Sequence, residues 1–276
     1  PPGKTMRAKS GSVVTGVITE YPQRLQPPQA EVVEVLGKPT DPKVEKRIII
    51  RQYDLPETFP PGAEKAADKA KEPASKDIKG RLDLRDEWII TIDGENAQDF
   101  DDAISIKKLK SGFELSVHIA DVSHYVRTKT PLDNAAWERG TSTYFPDSVI
   151  PMLPFKLSNN ICSLRPGVDR LTLSAIMTFA DNGEIKKSRF AQSVINSRHR
   201  MTYNLVAQII IDNDAKVIAK YPDLLSPLKW MEELGHLLLK QRQQRGSIGF
   251  ELPEVYIEIG EDDEVAGIKR RERNFA

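Results

Sequence analysis

Residues 88–108 read WIITIDGENAQDFDDAISIKK. Two short runs rich in β-branched residues, WIITI and AISIKK, have the composition of strands. Between them lies an acidic knot, residues 93–102, with five carboxylates in ten residues and no base. Like charges this close repel and raise one another's pKa unless they share a cation. Gly94 permits a tight turn between the first strand and the cluster. A loop strung between two apolar strands can hold oxygen ligands firmly, and hard divalent cations prefer such ligands. On charge alone, a solvated acidic loop fits equally well. An EF-hand does not: its loop needs glycine at position six, and here Gly94 stands at two and Gln98 at six.

Outward from the knot, the strand and helix signals are mixed. FELSVHIA (113–120) alternates, with Phe113, Leu115, Val117 and Ile119 on one face. LTLSAIMTFA (171–180), an Asp181-Asn182-Gly183 turn and EIKKSRFAQSVIN form an expected hairpin. Thr130-Pro131 opens a helix across LDNAAWERG, with Thr130 as the cap. Further helices are expected from Tyr203 to Ile211, and from an N-cap at Ser226 to Arg245, closed by Gly246. Upstream, residues 13–20, 31–36 and 46–51 (KRIIIR) read as three short strands separated by Pro and Gly, part of a small barrel. Residues 56–80 read as a linker with a short solvated helix in EKAADKAKE. Strands and helices without strict βαβ alternation make the fold class α+β, a mixed sheet with helices preceded by a small OB-like β-barrel.

Composition narrows the function classes. The chain has 276 residues, 39% of them hydrophobic, which is enough for a real core. Forty basic and forty acidic side chains cancel, so binding through bulk charge is excluded. The cancellation hides a polarity. The knot carries −5, while residues 103–206, with 14 basic and 8 acidic side chains, carry +6. A single cysteine, Cys162, allows neither an internal disulfide nor a structural zinc site and points to a reducing compartment. No apolar run approaches the ~18 residues that span a bilayer, and the N-terminal residues lack a signal-peptide core. The first residue is not Met, so an internal fragment or processed chain is expected.

TIDGENAQDFDDAISI resembles the signature of the ribonuclease II / ribonuclease R family of exoribonucleases, four aspartates at spacings of six, two and one. VHIADVSHYV (117–126), TYFPDSVIPMLP (143–154), LSNNICSL (157–164) and VDRLTLSAIMTF (168–179) are similar to the same family, in order. Ordered motifs over some ninety residues are far more specific than one short pattern. The resemblance implies a cold-shock-like barrel over 1–55, a linker over 56–80 and the first part of the catalytic domain over 81–276. GRLDLR (80–85) leans towards the ribonuclease R branch.

The resemblance further implies processive, magnesium-dependent 3′→5′ hydrolysis of single-stranded RNA to 5′-mononucleotides, with Mn2+ as a substitute. Asp93, Asp99, Asp101 and Asp102 would be both metal ligands and catalytic residues. Tyr144 and Tyr203 match tyrosines that stack on nucleotides near the RNA 3′ end; stacking contributes ~1–3 kcal/mol per base. Without the family match, Tyr144 reads as a core or rim aromatic and Tyr203 as a residue at a helix start. His118, His124 and Cys162 read as structural. Of Lys156, Arg165, Arg170, Lys186, Lys187, Arg189, Arg198 and Arg200, a minority would contact RNA phosphates. Partners would be single-stranded RNA and RNA-decay assemblies, not DNA or membrane, for a cytoplasmic monomer. The family's catalytic domain continues past the RRERNFA segment and there supplies an arginine and further acids. Arg270, Arg271 and Arg273 are not assigned that role, and the chain alone is expected to be weakly active or inactive. The competing readings are a non-catalytic RNA-binding protein with a degenerate nuclease domain, and an exonuclease with its acids scattered over separate motifs.

Overall fold

In the computed structural model, residues 3–24, 26–249, 254–260 and 265–271 are described. In chain order the elements are β1 (Val13–Glu20), β2 (Gln29–Gly37), α1 (Pro42–Gln52), α2 (Pro61–Lys69), α3 (Ser75–Ile78), β3 (Leu82–Leu84), β4 (Ile90–Asp93), β5 (Asp102–Lys108) and β6 (Phe113–Ala120). Then come α4 (Val122–Tyr125), α5 (Pro131–Arg139), β7 (Thr143–Tyr144), β8 (Val149–Ile150), a π-helical turn (Leu157–Ile161), β9 (Asp169–Phe179) and β10 (Ile185–Asn196). The chain continues through β11 (His199–Thr202), α6 (Tyr203–Ile210), α7 (Ala215–Lys220), α8 (Leu225–Gln244), β12 (Glu254–Ile259) and β13 (Val265–Arg271). The α+β class expected from the sequence is what the chain adopts. Two compact units are present, one built from 1–59, 139–152 and 254–271, the other from 60–138, 153–253 and 272–276.

In the first unit β1 and β2 pair antiparallel. The expected third strand at 46–51 is instead the second half of α1. Asp41 caps this helix, its carboxylate accepting from the Lys43 N–H at 2.9 Å, with Pro42 in the first turn. Helical spacing also aims Arg47 and Arg51, four residues apart, at one carboxylate on β2. Arg47 Nη2 donates to Glu34 at 2.8 Å and Arg51 Nε at 2.6 Å. A cap and two charged contacts thus outweigh the β preference of three isoleucines.

The second unit is organised by a seven-stranded mixed sheet of order β11-β4-β5-β6-β9-β10-β3. The β4-β5-β6-β9-β10 run is antiparallel, while β11 joins β4 and β3 joins β10 in parallel. Two hairpin turns lock together at one end. Asp181 accepts from Ser111 Oγ and from the Gly112 N–H, both at 2.6 Å. Gly112 has φ +83°, and a Cβ there would lie 1.9 Å from the Phe179 carbonyl oxygen. Helices α6 and α8 cover part of one sheet face. Ile90, Met201, Val206, Ile209, Leu224 and Leu228 form one core cluster, and Ile106, Phe113, Phe179 and Leu234 another. The stripe on β6 is only partly covered: Phe113 is buried while Ile119 is exposed.

Two further expectations need correction. The helix at 61–69 is not solvated all round: Ala63 and Ala67, one turn apart, are fully buried. Helix α8 begins at Leu225, so Ser226 lies inside its first turn rather than capping it. Arg273 lies outside the described residues.

Candidate metal centre

All four aspartates sit on the β4–β5 connection. Asp93 ends β4, Asp102 begins β5, and Asp99 and Asp101 lie on the loop between them. The neighbouring strand β11 fixes the first of these, because Thr202 is the register partner of Asp93. The second is fixed by pairing of Asp102 with Ile119 on β6. The Asp101 carbonyl accepts from the Ala120 N–H at 2.9 Å.

The four carboxyls lie near enough to one another to interact electrostatically. Burial raises the Asp93 pKa to about 6, with the charge on Asp102 adding to it, Arg200 opposing, and Asp99 and Asp101 contributing less. Asp101 is raised as well, by loss of water within the loop and then by Asp99 and Asp102. One Asp93 oxygen, Oδ2, is buried without a hydrogen-bond partner. A buried carboxylate oxygen without a donor is costly unless a cation meets it. The donor set is hard oxygen, with one buried Asp93 oxygen unpartnered, which fits a divalent cation such as Mg2+ or Mn2+. Among the described residues, no three His, Cys, Asp or Glu side chains close tightly enough to enclose an ion. Magnesium typically takes one or two carboxylates and completes its shell with water and phosphate oxygens. The fifth acid, Glu95, is diverted: its Oε1 accepts from Asn204 Nδ2 at 3.0 Å.

The backbone of the loop is held from both sides. Arg200 Nη2 donates to the Gly94 carbonyl at 2.6 Å and the Glu95 carbonyl at 2.8 Å. Its guanidinium lies 5.5 Å from the centroid of the buried Phe100 ring. At the other end, the Phe100 N–H donates to Ser163 Oγ at 3.1 Å and the Leu164 N–H donates to the Phe100 carbonyl at 2.9 Å. Ser163 Oγ in turn donates to the Gln98 carbonyl at 2.8 Å. Sequence reasoning missed Ser163, Asn204 and the clamping role of Arg200. Arg170, one of the eight bases of which a minority was expected to contact RNA, is only 2% exposed. It donates to the carbonyls of Ser163, Asp169 and Asn160 at 2.8–3.0 Å. These bonds hold the segment that follows the π-helical turn.

Tyr203 is brought beside the aspartates along the chain, since it follows Thr202 and opens α6, where it is 45% exposed. Thr202 caps that helix, accepting from the Leu205 N–H at 3.1 Å. Tyr144 belongs to the first unit, pairs with Val149 in the β7–β8 hairpin and is exposed. His118 is buried, bonded through Nδ1 to Ser174 Oγ at 2.6 Å, and burial lowers its pKa to about 4. It is a neutral structural residue of the sheet. Burial, then the nearby Asp101 charge, pushes the Cys162 thiol up to about 12, so it packs and does not react. No helix among the described residues is long and apolar enough to cross a membrane.

Residues 81–276 match the RNB domain family, and residues 1–60 match the cold shock domain family. The chain is 41% identical over 272 residues to ribonuclease R of Aquifex aeolicus, covering 98% of this chain and 38% of that protein. It is 43% identical over 277 residues to ribonuclease R of Thermotoga maritima, again spanning 38% of the relative. Mycoplasma genitalium RNase R in complex with ribose-methylated single-stranded RNA superposes with a TM-score of 0.89 at 28% identity, covering all of this chain and 43% of that one. The chain thus spans about two-fifths of the length of these relatives. With the family model matched over residues 81–276 and ribonuclease R relatives about 40% identical, the chain belongs to the RNB domain family of ribonuclease R-like proteins.

Proposed function

We propose that this chain carries the metal-binding part of a magnesium-dependent 3′→5′ exoribonuclease that degrades single-stranded RNA processively to 5′-mononucleotides. One observation supports this most: four aspartates lie along one strand–loop–strand connection, and an Asp93 oxygen is buried there without a donor. A bound divalent cation would lower the pKa of a water and neutralise the phosphodiester. Asp93, Asp99, Asp101 and Asp102 would hold it, the first and last from the ends of rigid strands. Tyr203 and Tyr144 would offer aromatic faces to RNA bases, a sequence-tolerant contact. The Mycoplasma relative's RNA complex supports RNA as the partner. The barrel at 1–55, the linker at 56–80 and the nuclease portion from 81 belong to the same reading, as does a cytoplasmic setting for a chain with one cysteine.

The test uses the full-length parent and 5′-labelled single-stranded RNA, with magnesium or with EDTA. A ladder shortening from the 3′ end that vanishes with EDTA and in Asp101→Asn supports the reading. Cleavage that persists in Asp101→Asn removes this loop from the chemistry.

A further inference from the structure

The acidic loop has one turn bond of its own, the Ala97 N–H donating to the Gly94 carbonyl at 3.2 Å. Its carboxylates repel one another, and the backbone towards each end is bonded to residues from outside it. Ser163 has the central place among these. It is completely buried, and its single hydroxyl spans two peptide groups, accepting from the Phe100 N–H and donating to the Gln98 carbonyl. Those peptides flank Asp99 on both sides and lead directly into Asp101. The hydroxyl therefore fixes where Asp99 and Asp101 leave the backbone, without touching a carboxylate oxygen.

Behind Ser163 stands Arg170, the largest fully buried side chain. Its Nε donates to the Ser163 carbonyl at 2.8 Å, and Nη2 to the Asn160 carbonyl at 3.0 Å. Its nearest carboxylate, Glu72 Oε1, is exposed and 3.5 Å away. A buried cation spent on backbone carbonyls is an expensive way to pack a core. It is an effective way to fix a short segment in one conformation. These bonds of Arg170 go to backbone carbonyls, whereas an arginine paired directly with a metal-holding carboxylate would compete with a metal. Side chains that orient ligands without touching the metal typically change affinity 10–100-fold when removed.

We propose that Ser163 is a positioning residue for the cation, held in place by Arg170, and that it sets the divalent-ion affinity of the Asp99–Asp102 segment. This rests on the reading of the loop as a cation site.

The experiment titrates Mn2+ into the 276-residue chain and follows the free-ion EPR signal, with urea unfolding measured on the same samples. Four proteins are compared: wild type, Ser163→Ala, Ser193→Ala and Asp101→Asn. Ser193 is the control. It too is fully buried, and its hydroxyl bonds Thr172 Oγ1 at 2.7 Å, Ser174 Oγ and the Thr172 carbonyl, all on β9. Ser163→Ala should weaken Mn2+ binding at least tenfold. Ser193→Ala should leave the affinity within twofold even where it lowers the urea midpoint as much. Equal affinity in Ser163→Ala and wild type overturns the positioning role, as does an equal loss in both serine variants. Should Ser163→Ala not fold, Ser163→Cys takes its place: the sulfur fills the site but bonds weakly, and wild-type affinity there overturns the proposal. Failure of the underlying reading looks different, because wild type then binds no Mn2+, or Asp101→Asn binds it as wild type does.

Discussion

Replacing Asp93 by Asn should stabilise the metal-free chain at pH 8 and weaken its response to metal. The Asp93 carboxyl is raised from 3.8 to about 6, chiefly by burial and by Asp102. The folded state therefore binds the proton more tightly than the unfolded state does. The stability this group contributes is greatest below pH 3.8 and falls as pH rises through the window to about 6. At 1.36 kcal/mol per pH unit, keeping Asp93 ionised in the metal-free fold costs about 3 kcal/mol at pH 8 and about 1 kcal/mol at pH 4.5. Asn has the same shape without the charge, and its amide can donate towards a neighbouring carboxylate. Asp93→Asn should thus gain about 1–3 kcal/mol at pH 8, a Tm rise of roughly 2–4 °C per kcal/mol, and distinctly less at pH 4.5. Metal reverses the ranking. At a hundredfold excess over Kd, Mn2+ adds about 2.7 kcal/mol to wild type, and the variant should gain only a fraction of that. The assay is urea unfolding by circular dichroism at both pH values, with EDTA or with Mn2+. A variant less stable than wild type at pH 8 in EDTA, or a difference independent of pH, would refute the reasoning.

Other expectations follow from single contacts. Gly112→Ala places a methyl 1.9 Å from the Phe179 carbonyl oxygen in a left-handed conformation and should cost more than about 3 kcal/mol, read as a lower urea midpoint at constant m-value. His118, held near 4 by burial, should show NMR ring shifts that do not move between pH 8 and 5.5. Because its folded pKa lies below the unfolded 6.5, its stability contribution is lost as pH falls from 6.5 through 4, and a ring titrating near 6.5 would contradict its burial. Cys162, raised to about 12, should resist Ellman's reagent at pH 8 until urea unfolds the chain; rapid labelling of the native protein would show an open site instead.

The sequence revealed most where the deciding interactions are local. The β9–β10 hairpin announces itself through Asn182-Gly183, and α5 through Thr130-Pro131, because turn and cap chemistry acts over a few residues. The four aspartates are legible for the same reason, all lying within ten residues. The misread strand at 46–51 shows the limit of a local β-branched run. Its helix is secured by the Asp41 cap, which the sequence displayed, and by Glu34 thirteen and seventeen residues away, which it did not. The clamps on the acidic loop were out of reach: Ser163 lies 63 residues from Phe100 and Arg200 lies 106 from Gly94. The burial of Arg170 was equally hidden, because an arginine in a strand looks like surface charge until its carbonyl partners are known.

The parallel pairing of β11 with β4 sets an order of assembly during synthesis. Asp93 finds its register partner only at Thr202, roughly a hundred residues later in the chain. At 5–20 residues per second, the acid loop leaves the ribosome about 5–20 s before the strand that flanks it. Ser163 and Arg170 emerge within that interval, and Arg200 last. The nascent loop is thus a flexible polyanion first and takes its folded shape only at the end. A growing chain therefore acquires the clamped form of its acidic loop late, after the sheet on which that loop rests is nearly complete.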